Sequence, residues 1–214
     1  MRMDLRKFEP TTPREFVGND QQRWCNILLE EAQEIKNSLF GNMKVLIKGP
    51  PGIGKTALSK AIAKSLVDEA FRVVDITEKS GADLQIEWVR DLKDSLIYAP
   101  MSGFRAIIIN EADELPDKCE TLFLQLMDDL PDRMGLFFTS NEDQLSQRFE
   151  DRCTRVLLSP PTPKEIAEWL TEHTSFSQAK VETLATKAKG MRSVINQAKS
   201  LQTAIKCKKQ KIQH

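Results

Sequence analysis

Apolar residues along the chain alternate between short continuous runs and stretches with helical spacing. Short runs bounded by polar residues are typical of strands that are buried on both faces of a parallel sheet. The predicted strands are Met43–Lys48, Arg72–Ile76, Arg105–Asn110, Gly135–Ser140 and Arg155–Leu158. Strands that alternate with helices predict an α/β fold, in which a five-stranded parallel sheet lies between helices.

Two stretches in the first half of the chain have apolar residues at helical spacing. The first apolar face consists of Trp24, Ile27, Leu28, Ala32 and Ile35, and the second of Leu58, Ile62 and Leu66. We expect both faces to pack against the core.

The segment Ser159–Pro163 reads SPPTP, which can continue neither a helix nor a central strand. It predicts a boundary between a first domain, residues 1–159, and a second, residues 160–214. Helices are expected at Lys164–His173, Gln178–Lys189 and from Met191 to about Lys208. These three helices would form a small lid. The basic tail KCKKQKIQH that follows is expected to be a frayed, solvated terminus, with nucleic-acid contact as the alternative.

Composition and charge exclude several classes of protein. The 214 residues include 31 basic and 31 acidic side chains, and the net charge of +0 argues against a constitutive nucleic-acid binder with a strong basic footprint. The N-terminus lacks the apolar segment of a leader, and no run approaches the roughly 18 apolar residues that span a bilayer. We therefore expect no membrane contact and a cytoplasmic location, or a nuclear one in a eukaryote.

The cysteines and histidines do not have the spacing of a metal site. Cys25, Cys119, Cys153 and Cys207 are scattered without a CxxC pair, and His173 and His214 are far apart. We expect reduced thiols, with neither a zinc site nor a disulfide framework.

The segment GPPGIGKT lies between the apolar strand MKVLIK and the helical segment TALSKAIAKSL. This strand, loop and helix order is the context of a phosphate-binding P-loop, in which glycines and helix N-terminal amides surround the phosphates. The lysine neutralises phosphate charge, and the threonine hydroxyl can bind Mg²⁺. The predicted ATP-binding residues are Gly49, Pro50, Pro51, Gly52, Ile53, Gly54, Lys55, Thr56 and Ala57. The alternative is a glycine-rich turn without a ligand.

A second motif ends the strand of RAIIINEADEL with Asn110 and Glu111. P-loop enzymes hold their metal-binding and water-activating side chains at this position. Glu111 is the candidate that polarises the attacking water. Asn110 stands where an aspartate is usual, and it could reach Mg²⁺ or its bound water without adding negative charge. The alternative is a buried strand that ends in a polar loop.

The chain resembles the AAA+ superfamily, and within it the small subunits of sliding-clamp loaders of the replication factor C type. The resemblance rests on FEPTTPREFVGN, which is similar to the segment over the adenine, on NEAD in place of DEAD, and on FFTSN, which resembles sensor 1. DRC resembles the SRC motif, and GMR resembles sensor 2. The motifs follow the family's order over nearly the whole chain.

The resemblance implies roles for five further residues. Val17 and Gly18 would flank the base, Asn141 would orient the water, and Arg192 would reach from the lid to the γ-phosphate. Arg152 would be an arginine finger for a neighbouring subunit's ATP. Other interpretations remain open: Arg152 could form a surface ion pair, with Arg148 as a rival finger. Arg192 could be an ordinary cation at a helix start, and Asn141 a strand-end cap.

The chain departs from the family at three points. We expect no collar domain after the lid, so that subunits would assemble through ATPase and lid surfaces or through partners. FLQL, at Phe123–Leu126, replaces the ALRR of the DNA-facing helix, and Asn110 is the third departure. Arg90 and Lys93 could still meet a phosphate backbone, although a solvated helix face is the favoured interpretation.

These features together predict an ATPase that binds and hydrolyses Mg-ATP at subunit interfaces and acts as a clamp-loader-like subunit in DNA replication or a related DNA transaction. Its partners would be copies of itself or homologous subunits in a ring or arc, a client such as a sliding clamp or helicase, and DNA in some states. One alternative is an ATP-binding switch or scaffold subunit that hydrolyses little. Another is a helper of phage replication or transposition.

Overall fold

A parallel sheet of five strands forms the centre of the fold. The computed structural model describes residues 8–38, 40–141, 145–188 and 190–212, with side chains as far as residue 203. The strands are β1 (Met43–Lys48), β2 (Ile76–Ser80), β3 (Arg105–Asn110), β4 (Met134–Ser140) and β5 (Thr154–Leu157). They lie in the order β2-β3-β4-β1-β5, and every neighbouring pair is parallel. The predicted α/β class and five-stranded parallel sheet are confirmed.

Helices cover both faces of this sheet. In chain order they are α1 (Asn19–Ser38), α2 (Lys55–Leu66), α3 (Arg72–Asp75), α4 (Ile86–Ser95), α5 (Asp117–Asp128), α6 (Gln147–Glu150), α7 (Pro163–His173), α8 (Gln178–Thr186) and α9 (Met191–Ile212). Successive side chains of a strand point to opposite faces. Val45 of β1 therefore belongs to the hydrophobic cluster that includes α1 and α2, whereas the adjacent Leu46 belongs to the cluster that includes α4 and α5.

Helices α7 to α9 form the lid and have a hydrophobic cluster of their own, which includes Trp169 and Val194. The N-terminal segment joins this cluster, because Phe8 and Val17 pack against it. The indole Nε1 of Trp169 also donates to the carbonyl of Glu15 at 3.1 Å. The segment before α1 therefore contacts the lid, while the division at residue 159 remains a prediction.

The second predicted strand, Arg72–Ile76, is wrong. Residues Arg72–Asp75 form the short helix α3, and β2 begins only at Ile76. The two valines that suggested a strand are on the surface: Val73 is 95% exposed and Val74 61%. The real strand is the polar sequence ITEKS at the edge of the sheet, where only one side is paired and burial is partial.

Smaller differences concern element ends and one helix face. The lid helices are present, but α8 ends at Thr186, and the backbone of α9 continues to Ile212. Leu28 and Ala32 are buried as expected, whereas Ile27 lies on the exposed side of α1. Cys25 belongs to the buried face instead. In the part of the chain that the structure describes, every helix is too short or too polar to cross a lipid bilayer.

Three of the four cysteines are described, and each is a free thiol. Burial raises the pKa of Cys25 and of Cys153 to about 12, so both remain protonated at neutral pH. Cys207, His214 and the side chains of the basic tail lie outside the described residues.

Candidate functional site

The P-loop connects β1 to α2 in a conformation that requires glycine. Gly54 precedes α2 with a φ of 105°, and Gly49 has a φ of 147°. A Cβ atom at Gly49 would lie 2.4 Å from the carbonyl oxygen of Leu158, which is too close for any side chain. These constraints direct the loop around the N-terminus of α2, where backbone amides favour anions.

Lys55 joins the P-loop to the end of β4. Its Nζ donates to the carbonyls of Gly49 at 2.6 Å and Pro50 at 2.9 Å, and to Oδ1 of Asn141 at 2.8 Å. Burial lowers the pKa of Lys55, and the nearby charge of Arg192 lowers it further, while the carboxylate of Asp113 opposes both effects. The amino group therefore sits where added negative charge, such as phosphate, would stabilise its charged form.

The side chain of Asn110 has hydrogen bonds at both ends. Its Oδ1 accepts from the hydroxyls of Thr56 at 2.8 Å and Thr139 at 3.2 Å. Its Nδ2 donates to Oε1 of Glu78 at 2.8 Å. The two residues predicted to hold Mg²⁺, Thr56 and Asn110, are thus in direct contact.

Glu111 follows β3 with a left-handed backbone, φ 55° and ψ 51°, which is rare for a residue with a side chain. Its amide donates to the hydroxyl of Thr139 at 3.2 Å, and its carboxylate accepts from the hydroxyl of Ser80 at 3.3 Å. The carbonyl of Glu111 would lie 2.3 Å from a Cβ at Gly81. The packing around this turn supports the unusual backbone and holds the Glu111 carboxylate at the carboxyl edge of the sheet.

A cavity of about 440 Å³ connects these groups. Most of the predicted site residues line it, namely Val17, Pro51, Gly52, Ile53, Gly54, Lys55, Thr56, Ala57, Asn110, Glu111, Asn141 and Arg192. Gly18, Gly49 and Pro50 are not among the lining residues, although the carbonyls of Gly49 and Pro50 accept from Lys55. Gly18 has a φ of 100°, and a Cβ there would collide with the side chain of Gln21.

The lid closes one side of the cavity through the start of α9. The amide of Arg192 donates to the carbonyl of Gly52 at 3.2 Å, so the lid contacts the P-loop backbone directly. Met191, Ile195, Asn196 and Lys199 of α9 line the cavity as well, and so does Lys60 of α2. The sequence interpretation missed these residues, although helical spacing from Arg192 points to Ile195, Asn196 and Lys199.

Arg152 is the one predicted catalytic residue that lies away from the cavity lining. Its guanidinium pairs with the carboxylate of Asp128, Nε to Oδ1 at 2.7 Å, and also donates to the carbonyl of Arg148 at 2.9 Å. Within one chain Arg152 therefore forms a surface ion pair, as one of the open interpretations expects.

The residues present fit a magnesium nucleotide. The cavity volume lies in the usual range for small-molecule sites, about 300 to 1,000 Å³. Over the described ranges, no cluster of three or more His, Cys, Asp or Glu side chains is arranged to hold a metal by itself. Mg²⁺ is commonly held by one or two protein oxygens together with substrate phosphates, and the oxygens of Thr56 and Asn110 satisfy that requirement.

Comparison with known proteins identifies the family of this chain. The ATPase family associated with various cellular activities (AAA) matches residues 45–161, which is more than half of the chain. The replication factor C small subunit of Archaeoglobus fulgidus is 29% identical over 167 residues, covering 75% of this chain and 49% of the relative. That of Methanocella arvoryzae is 27% identical over 210 residues, covering 94% of this chain and 63% of the relative.

The chain thus spans about half to three fifths of the length of these curated relatives. Among solved structures, the Holliday junction branch migration motor RuvB of Thermotoga maritima superposes with a TM-score of 0.73 at 23% identity. The match covers 97% of this chain and 68% of RuvB, and at this identity it shows the fold alone. The P-loop, the sheet order and the family match agree. The chain belongs to the AAA family of ATPases and is similar to replication factor C small subunits.

Proposed function

We propose that this chain binds and hydrolyses Mg-ATP at the interface between subunits, as a clamp-loader-like subunit in DNA replication or a related DNA transaction. One observation carries the proposal: Lys55, Asn110, Glu111 and Asn141, which come from three separate segments, all line one cavity at the carboxyl edge of the sheet. Ligands bind at this edge in open α/β sheets.

The residues divide the work in the following way. The amides of the P-loop and Lys55 bind the phosphates, and Arg192 approaches them from the lid. Thr56 and Asn110 hold Mg²⁺, which when bound neutralises charge on the phosphate oxygens. Glu111 polarises the attacking water. Asn141 already contacts Lys55 at 2.8 Å and would orient that water beside the phosphate.

The interface part of the proposal concerns Arg152. Because this arginine is outside the cavity lining of its own chain, a role in hydrolysis requires a second subunit. An arginine supplied in trans stabilises transition-state charge and typically contributes about 10³ to 10⁵ in rate. Assembly would then be necessary for full activity.

A mixing experiment tests this arrangement. We expect steady-state hydrolysis per subunit to rise with protein concentration, and Lys55→Ala and Arg152→Ala each to abolish it alone. A mixture of the two variants should recover activity, because a Lys55→Ala subunit still supplies Arg152 to the ATP of an Arg152→Ala neighbour. If the mixture stays as inactive as its components while the wild type is active, the interface arrangement is wrong.

An exposed apolar cluster supports the proposal of a protein client. Ile97, Tyr98 and Met101 follow α4, and their side chains are 80%, 68% and 66% exposed. The carboxylate of Asp75 in α3 accepts from the amides of Met101 and Ser102, so this segment is hydrogen-bonded to α3. Exposed apolar clusters commonly mark protein interaction sites. Retention of the chain on an immobilised sliding clamp, and its loss in Tyr98→Ser, is the expected result; equal retention of Tyr98→Ser would exclude this surface.

A second candidate function is an ATP-binding switch with little hydrolysis. It is favoured by Asn110, which leaves the predicted metal position without its usual negative charge. Strong Mg-ATP binding together with a flat, near-zero rate in all mixtures would support the switch. If the wild type turns over near 1 per second, within the ordinary enzyme range, and Asn110→Asp leaves that rate unchanged, the switch is excluded.

A further inference from the structure

Glu78 of β2 contacts two residues of the nucleotide site although its strand is at the edge of the sheet. Its Oε2 pairs with Nζ of Lys60 on α2 at 2.7 Å. Its Oε1 accepts from Nδ2 of Asn110 at 2.8 Å. A continuous chain of contacts therefore runs from Lys60 through Glu78 and Asn110 to the hydroxyl of Thr56.

This chain of contacts determines which way the amide of Asn110 points. An ionised carboxylate can only accept hydrogen bonds, so Glu78 requires the NH₂ end of the amide. The hydroxyls of Thr56 and Thr139 donate to the other end, Oδ1. A flipped amide would set its oxygen against the carboxylate of Glu78 and lose that bond, whereas the two hydroxyls could either donate or accept. The orientation of the amide therefore depends on Glu78.

We propose that Glu78 is a positioning residue of the Mg-ATP site, which fixes Oδ1 of Asn110 toward Thr56 and the metal position. Because it concerns the metal position, the role of Glu78 rests on the proposed function. Partners that orient a metal ligand through hydrogen bonds typically change metal affinity by about 10- to 100-fold when removed.

The same contact explains why a neutral side chain stands at position 110. An aspartate there would bring a second carboxylate to within about hydrogen-bond distance of Glu78, and like charges that close cannot both stay ionised without a cost. Asn110 and Glu78 are therefore a matched pair, in which the negative charge lies on β2 and is balanced by Lys60. The carboxylate that is missing at position 110 is therefore replaced by the neighbouring carboxylate of Glu78.

The first test measures the Mg²⁺ concentration at which nucleotide binding is half-maximal, using a fluorescent ATP analogue so that hydrolysis is not needed. Glu78→Ala should raise this concentration by about tenfold. Glu78→Gln loses the same charge but keeps an acceptor for Asn110, and should stay close to the wild type. Glu87→Ala, an exposed glutamate on α4, is the matched control and should change nothing.

The second test compares melting temperatures without nucleotide. Asn110→Asp should lower the melting temperature in the native background and much less in the Glu78→Gln background, where the new amide can donate to the aspartate. Equal losses in the two backgrounds, or an unchanged Mg²⁺ requirement in Glu78→Ala, would overturn the proposal. Failure of the wild type to bind Mg-ATP would instead contradict the proposed function, while the melting temperatures would still report on the contact.

Discussion

Arg152 and Asp128 form a bidentate ion pair, in which Nε lies 2.7 Å from Oδ1 and the second terminal nitrogen 3.0 Å from Oδ2. The hydrogen bonds from Arg152 hold the pKa of Asp128 below its usual value. Both side chains reach solvent, so the guanidinium can leave this partner at little cost. If Arg152 acts on the phosphate of a neighbouring subunit, its ion pair with Asp128 must first break.

Removal of Asp128 is therefore expected to stimulate hydrolysis in the assembled state. Asp128→Ala should raise the rate at saturating protein concentration by less than about tenfold, because exposed ion pairs are weak. The control is Asp129→Ala, an exposed neighbour in sequence that should leave the rate unchanged. If Asp128→Ala loses activity as Arg152→Ala does, Asp128 orients the arginine instead of competing for it.

Replacement of Glu111 should separate binding from chemistry. Glu111→Gln keeps the size of the side chain but removes the carboxylate that polarises water, so hydrolysis should fall by about 10²-fold or more. The dissociation constant for Mg-ATP should change little, because the phosphates are held by the P-loop. Both quantities are measured on the same preparation, with Glu114→Gln as the control. Undiminished hydrolysis in Glu111→Gln would assign the role to another residue.

Glu165 predicts a pH dependence for the attachment of the lid. Its carboxylate accepts from the amide of Asn19 at 2.8 Å and from the amide of Thr162 at 2.6 Å, and so links α7 to the start of α1. Partial burial alone would raise the pKa of Glu165, but the hydrogen bonds outweigh it and hold the pKa below its usual value. The unfolded chain therefore binds this proton more readily than the folded chain does.

It follows that the stabilisation by Glu165 is present above the unfolded pKa and is lost as the pH falls through the folded one. At pH 7, Glu165→Ala should lower the free energy of unfolding by about 1 kcal/mol, as loss of a helix cap does. The difference from wild type should narrow as the pH is lowered to about 3. Glu168→Ala, on the exposed side of the same helix, is the control; a difference that grows on acidification would contradict the assignment.

Local sequence patterns were sufficient for most of the fold and for the P-loop. Runs such as RAIIIN are buried on both faces, and their ends match β3 residue for residue. The glycines of the P-loop indicate a backbone with positive φ, which other residues rarely adopt. The edge strand β2 was misplaced because its own sequence is polar and two exposed valines precede it. Burial in a sheet interior leaves a clear pattern, whereas a place at its edge does not.

Pairings between distant segments could not be predicted. Glu78 and Asn110 are 32 residues apart, and nothing in ITEKS alone indicates that its glutamate would meet the NEAD motif. The same is true of Arg152 and Asp128, which are 24 residues apart. Such contacts depend on strand order and helix placement, which only the assembled fold supplies.

Binding of Mg-ATP at the P-loop is the central claim, and isothermal titration calorimetry of the wild type beside Lys55→Ala tests it most directly. Lys118→Ala, which replaces an exposed lysine on α5, serves as the control for loss of a surface lysine. We expect one nucleotide per chain for the wild type and the control, with a stabilisation of about 2.7 kcal/mol when free ATP is 100 times the dissociation constant. Lys55→Ala should lose most of the binding. A wild type that shows no binding heat and no thermal stabilisation at saturating Mg-ATP, or a Lys55→Ala protein that binds as tightly, would contradict the account.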